Sequence, residues 1–234
     1  MIAYNSLTNN GGAVFCISSS DRNKVIYNTM TSNGQGIIQL YDSNNNDILR
    51  NTITNCNTGI WLYASYGALI SENTIKDNKY GIFRWEEGGG SSIYHNNFIN
   101  NLYQTETLGR PLDTWDNGYP FGGNYWSDYA GVDIRSGSNQ DLPGSDGIGD
   151  TPHIIDANNV DHYPLMNPYG TPSVPTYSLT ITATVGGTTD QAPGTYSYTR
   201  ANLMCLTEEH NDLNYRLWVQ RLYPNIVNSL VSKF

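Results

Sequence analysis

The chain has 234 residues, of which only 14% are charged, and carries a formal net charge of −9 with 23 glycines and 18 tyrosines. So few charges among so many Gly, Asn, Ser, Thr and Tyr residues suit a turn-rich β protein and not a helical one. The acidic balance argues against nucleic acid and anionic membrane surfaces as partners and leaves room for cations and neutral glycans.

From the first residues the chain repeats. Asn5, Asn28, Asn51, Asn73 and Asn96 follow one another at steps of 23, 23, 22 and 23 residues. Two positions after each stands an apolar residue: Leu7, Met30, Ile53, Ile75 and Phe98. A fixed period in this range is the mark of a solenoid in which each coil stacks on the last. Three further columns keep the phase: Phe15, Ile38, Ile60, Phe83; Ile17, Leu40, Leu62, Trp85; and Val25, Ile48, Ile70, Ile93. A small-residue column runs Ser20, Ser43, Ser65, Gly88. In this alignment one turn, around Cys56-Asn57-Thr58-Gly59, is a residue short. Spacings of two within a coil put both side chains on one strand face, so three short strands per coil are predicted. Stacked coils lie about 4.8 Å apart, which lets the Asn column pass amide hydrogen bonds from coil to coil. That column is read as structural, because stacked amides without acid or base partners have no catalytic chemistry. A partial second column, Asn10, Asn33, Cys56, Asn78, Asn101, is read the same way.

No secretory signal precedes the first repeat, and no apolar run reaches the roughly 18 residues of a membrane span. The expectation is an internal piece of a longer exported chain. Cys16, Cys56 and Cys205 share no column and define no disulfide framework.

After about Leu102 the period stops. Trp115, Tyr119, Tyr125, Trp126 and Tyr129 then crowd among turn residues, which predicts a compact plug over the last coil. An acidic glycine-rich loop, Asp141-Leu142-Pro143-Gly144-Ser145-Asp146-Gly147-Ile148-Gly149-Asp150, follows. With Asp133 and Asn139 nearby, Asp141, Asp146 and Asp150 offer hard oxygen ligands in a flexible turn, the donor type Ca²⁺ takes. Residues 170–176 read as a Pro-containing linker, 177–199 as a truncated β module of turn-linked strands, and 200–234 as an aberrant tail.

The repeats Asn-x-Ile-x-x-Asn-x-x-Gly-Ile, with GGNYWSDYAGVD and then GSDGIGDTPHIID and DHYPLM, resemble the NosD-type parallel β-helix family in its archaeal secreted and cell-surface members. The likeness covers roughly residues 4–169. It implies a right-handed parallel β-helix, here about five coils over 1–101 with a plug over 102–169. The family is labelled periplasmic copper-binding and sits in a wider group of carbohydrate-binding proteins and sugar hydrolases.

Copper is implied by that label and not by the residues, since His95, His153, His162 and His210 show no close pairing with Cys or Met beyond His162 and Met166. Cleavage of polysaccharide needs paired carboxylates, or a base beside a charge stabiliser, and no acidic pair recurs at one column. Trp61 and Tyr63 alternate with interior positions and so face outward as sugar-stacking platforms, with Glu86 and Glu87 beside an extended glycine turn. The reading is an exported carbohydrate-binding or scaffold module without catalysis, with a β-helix lyase or hydrolase and a copper accessory protein as the competing classes.

Overall fold

A computed structural model describes residues 1–12, 15–34, 38–85, 88–109, 112–170, 176–181 and 194–199. It divides into two compact units, Met1–Thr171 and Pro172–Phe234. The tail proposed at 200–234 lies outside the described residues.

The first unit is a parallel β-solenoid. One sheet stacks Ile2–Ala3, Lys24–Ile26, Asp47–Leu49, Leu69–Ser71 and Ser92–Tyr94. A second stacks Ser6–Thr8, Thr29–Thr31, Thr52–Thr54, Thr74–Lys76, Asn97–Ile99 and finally Tyr125–Trp126. The third stacks Phe15–Ser18, Ile38–Tyr41, Thr58–Tyr63, Tyr80–Trp85 and Tyr103–Leu108. All pairings in these sheets are parallel, and five rungs of the first sheet enclose about four turns. No α-helix occurs among the described residues.

The columns seen in the sequence are the interior. Val25, Ile48, Ile70 and Ile93 stack in one sheet and Met30, Ile53, Ile75 and Phe98 in another, all fully buried. Both Asn columns are hydrogen-bonded files. Asn51 and Asn73 illustrate the unit: Asn51 sends its backbone N–H (2.9 Å) and its amide N–H (3.0 Å) to the Asn73 Oδ1. Each such side chain also donates to strand carbonyls, as Asn73 does to Ile48 (2.8 Å) and Ser71 (3.0 Å). The backbone just before each file is left-handed: Tyr4, Tyr27, Arg50, Glu72 and His95 have φ between 55° and 59°. A corner in that region turns the chain sharply but leaves strand N–H and C=O groups unpaired within the coil. The Asn that follows supplies the missing donor and acceptor.

The third sheet departs from the expected register in its fourth strand. Ile60 pairs with Ile82 and Leu62 with Arg84, while Trp61 pairs with Phe83 and Tyr63 with Trp85. Phe83 and Trp85 therefore belong to the outer face, not to the interior columns assigned above. Ile82 and Arg84 are the buried residues, and Trp85 is 43% exposed. The aromatic pair Phe83/Trp85 offers the same two-residue spacing as the true pair, one position out of phase, and a one-residue slip exchanges faces. The corrected register also puts two short turns in the unit, since Ile75 to Ile82 spans seven residues like Ile53 to Ile60.

Beyond the last full coil the chain builds two-thirds of a sixth rung. Thr114 bridges Ser92, and Tyr125-Trp126 pairs with Asn97-Phe98. Trp115 and Trp126 thus extend interior columns, and large indoles close the end of the core. Trp126 stacks on Phe98 with ring centres 4.4 Å apart.

The second unit contributes one antiparallel pair, Thr176–Ile181 with Gly194–Thr199, in whose backbone register Tyr177 pairs with Tyr198 and Leu179 with Tyr196.

Candidate functional site

The aromatic residues gather on the outer face of the third sheet. Tyr41, Trp61, Tyr63, Tyr80, Phe83, Trp85 and Tyr103 all belong to it. Tyr41 and Tyr63 stack at 4.1 Å, Trp61 and Trp85 at 6.3 Å, and Tyr80 and Tyr103 at 5.2 Å, each pair nearly parallel. Rings from successive rungs therefore cover one another's faces along the stack. Tyr41, Trp85 and Tyr103 are the exposed rings among them. Glu86 and Glu87 lie outside the described residues, so of the expected sugar-binding set only Trp61 and Tyr63 are placed.

The end of the coil is a second concentration of chemistry. The Asn file does not stop at Asn96. It continues to Asn124, whose Oδ1 accepts the backbone and side-chain N–H of Asn96, both at 3.0 Å. Asp161 then ends the file, its Oδ2 accepting the Asn124 N–H at 2.7 Å and the Trp126 indole N–H at 2.9 Å. Its other oxygen accepts the Tyr163 N–H at 3.1 Å. Burial pushes this carboxyl up to about 6, against the pull of the Asn124, Trp126 and Tyr163 donors and with a small push from Asp116. Gly123 has to be glycine, because a Cβ there would run into the Asp161 carboxylate.

Beside this cap a shallow cleft of about 420 Å³ is lined by residues that include Asp113, Trp115, Asp116, Asn158, Val160 and His162. Asp116 Oδ2 accepts both the backbone N–H (3.1 Å) and the ring Nδ1–H (3.0 Å) of His162. Asp113 faces inward to a buried ion pair with Arg84, whose guanidinium also donates to the Ser65 carbonyl at 3.1 Å. Burial lowers the Arg84 pKa and raises that of Asp113, and their mutual attraction offsets part of each shift.

The acidic loop folds on itself. Asp150 accepts the N–H groups of Ile134 and Arg135, Asp133 those of Asp146 and Gly147, and Asp146 those of Gly137 and Ile148. Asp141 is exposed. Among the described residues, no group of three or more His, Cys, Asp and Glu side chains is arranged to hold a metal ion.

The family comparison decides the affiliation: residues 1–131 match NosD, described as a periplasmic copper-binding protein. The chain belongs to the NosD family. No curated protein and no solved structure matched it. For a NosD protein, copper is the group to test against the donors present, and copper favours His, Cys and Met. His95 donates from Nε2 to the Phe121 carbonyl (2.8 Å) and stacks on Tyr169. His153 stacks on Trp126 at 4.5 Å, and burial lowers its pKa. Met30 is fully buried in the core. Cys56 fills a place in the second Asn file, accepting from the Asn33 N–H at 3.4 Å and donating to the Thr54 carbonyl at 3.0 Å. These four donors hold the coil and its cap together and do not converge, so they do not fit a copper centre. Among them, no helix is long and apolar enough to cross a membrane.

Two participants escaped the sequence reading. Asn124-x-Trp126 repeats the Asn-x-apolar signature, but at a step of 28 from Asn96 instead of 23. Arg84 was hidden by the aromatic residues on either side of it.

Proposed function

We propose that this NosD protein is an exported, periplasmic or cell-surface accessory module that works as a rigid scaffold without catalysis. Residues 1–101 are the scaffold and 102–169 its cap, with 170–176 linking to a second β module at 177–199. The family match is the observation that carries this, and it speaks for the copper-accessory class ahead of glycan binding. The acids support a non-catalytic role: Glu72 pairs with Arg50, Asp113 with Arg84, and Asp161 serves the cap. Incubation with uronate and neutral polymers, followed by unsaturated-product absorbance and reducing-end release, is expected to show no turnover. Turnover that disappears when one acid is substituted would install the enzyme class instead.

Glycan binding is the second reading, favoured by the crowding of aromatics on one sheet. Ring edges and Tyr hydroxyls would make the contacts, with Trp85 joining Trp61 and Tyr63. A glycan array with the wild type and with Trp61→Ala and Trp85→Ala tests it; signal insensitive to both variants removes this face.

Calcium at Asp133, Asp141, Asp146 and Asp150 rests on the sequence pattern. A thermal shift on adding Ca²⁺ that Asp146→Asn abolishes supports it. No shift on Ca²⁺ or EDTA assigns Asp133, Asp146 and Asp150 to the backbone N–H groups they already bind.

A further inference from the structure

The family description names copper, yet several of the donors that copper prefers are engaged elsewhere in this fold. We infer that the described residues of the β-helix unit form no copper centre, so that any part the unit takes in copper handling is that of a scaffold, a conclusion that rests on the accessory reading above. Four of the described soft and imidazole donors have a traceable structural task. The Cys56 thiol substitutes for an amide in the second Asn file, inside the coil, where burial raises its pKa and disfavours the thiolate that binds metal. The Met30 thioether is sealed in an aliphatic column. His95 is held by the Phe121 carbonyl on one side and the Tyr169 ring on another. His153 is pressed against Trp126 beneath the cap.

His162 differs. Its side chain is 62% exposed, and Asp116 fixes the ring through Nδ1. A carboxylate behind an imidazole fixes the ring's orientation, which is how ligating histidines are commonly supported. One such ring gives one ligand. Its neighbour Asp113 is turned inward to Arg84, and Asp116 already accepts two N–H groups from His162. A lone imidazole binds Cu²⁺ weakly and without selectivity, whereas a copper site needs several N and S donors converging on one point.

The test is titration of the purified, chelator-stripped full chain with Cu²⁺, and with Cu⁺ against a competing chelator. Bound metal is counted by elemental analysis and its ligands are read by electron paramagnetic resonance. The expected result is one weak Cu²⁺ with a single-nitrogen signature, absent in His162→Ala and about tenfold weaker in Asp116→Asn. Tight binding that vanishes in the double variant Cys205→Ser/His210→Ala would place copper outside the β-helix and leave the inference standing. Tight stoichiometric binding that survives both that double variant and His162→Ala would overturn it. Polymer turnover would defeat the accessory reading without altering the copper result, so the two failures are separable.

Discussion

The indole N–H of Trp126 points at the carboxylate of Asp161 from 2.9 Å, joining the ring that closes the core to the acid that ends the Asn file. Because Asp161 lies directly across from His153 in an antiparallel pair, one buried carboxylate links the last rung to the segment folded over it. Its folded pKa, about 6, lies above its ordinary value of 3.8. The stability tied to this group is therefore complete below about 3.8 and is lost as pH rises through about 6. A shift of that size corresponds to roughly 3 kcal/mol. His153 works in the opposite sense. With a pKa lowered by burial, it removes stability as pH falls through its unfolded value. Comparing melting curves of wild type and Asp161→Asn from pH 4 to 8 isolates the first contribution. The wild type should lose midpoint relative to the variant as pH rises from 4 to 7; parallel profiles would contradict the assignment.

A mid-file amide carries more than one bond. The Asn73 side chain makes five hydrogen bonds, to Asn51 (backbone and amide), Ile48, Ser71 and Asn96. Asn73→Ala leaves buried groups on three neighbouring segments unpaired, at about 1–3 kcal/mol each. A loss of about 3 kcal/mol or more is expected in denaturant unfolding. Asn5→Ala at the exposed end of the same file should cost much less.

Cys56→Asn should stabilise the coil by about 1 kcal/mol. The corrected register is the reason: Asn78 occupies the equivalent place in an equally short turn and there donates to the Ile53 carbonyl at 3.2 Å and to Asn101 at 2.9 Å. An asparagine at 56 would reach the Met30 carbonyl and Asn78 in the same way. A lower thermal midpoint would show that the turn requires the smaller thiol.

The Arg84–Asp113 pair gives a cycle to measure. Arg84→Leu leaves a buried carboxylate without its cation and should cost about 3–5 kcal/mol, and Asp113→Asn a similar amount from the other side. The double variant should cost clearly less than the sum, because neither charge is then stranded. Additive losses would mean that the two side chains act independently.

The solenoid was legible because its signal is vertical. Val25, Ile48, Ile70 and Ile93, like the Asn file, repeat chemically similar residues at one period, and stacking parallel rungs puts like above like. The left-handed corners left no such trace. Tyr4, Tyr27, Arg50, Glu72 and His95 share a backbone conformation but no common side-chain type, while the following Asn supplies the pairing. The outer face was half legible. Trp61 and Tyr63 alternate visibly with Ile60 and Leu62, but in the next strand Phe83 and Trp85 imitate the interior spacing, and only the pairing of Ile60 with Ile82 reveals the phase. The cap was the hardest part, because Asp161 reaches Asn124 across 37 residues and no local period connects them.

Each mid-file Asn bonds within its own coil and to the coils on either side, and the cap reaches back to Arg84 in the rung before the last. Length and ending are thus independent properties of this rod. Duplicating residues 51–72 should add one storey with the same lid on top, so that evolution or an engineer could set the reach of the outer face in steps of about 4.8 Å without redesigning its closure.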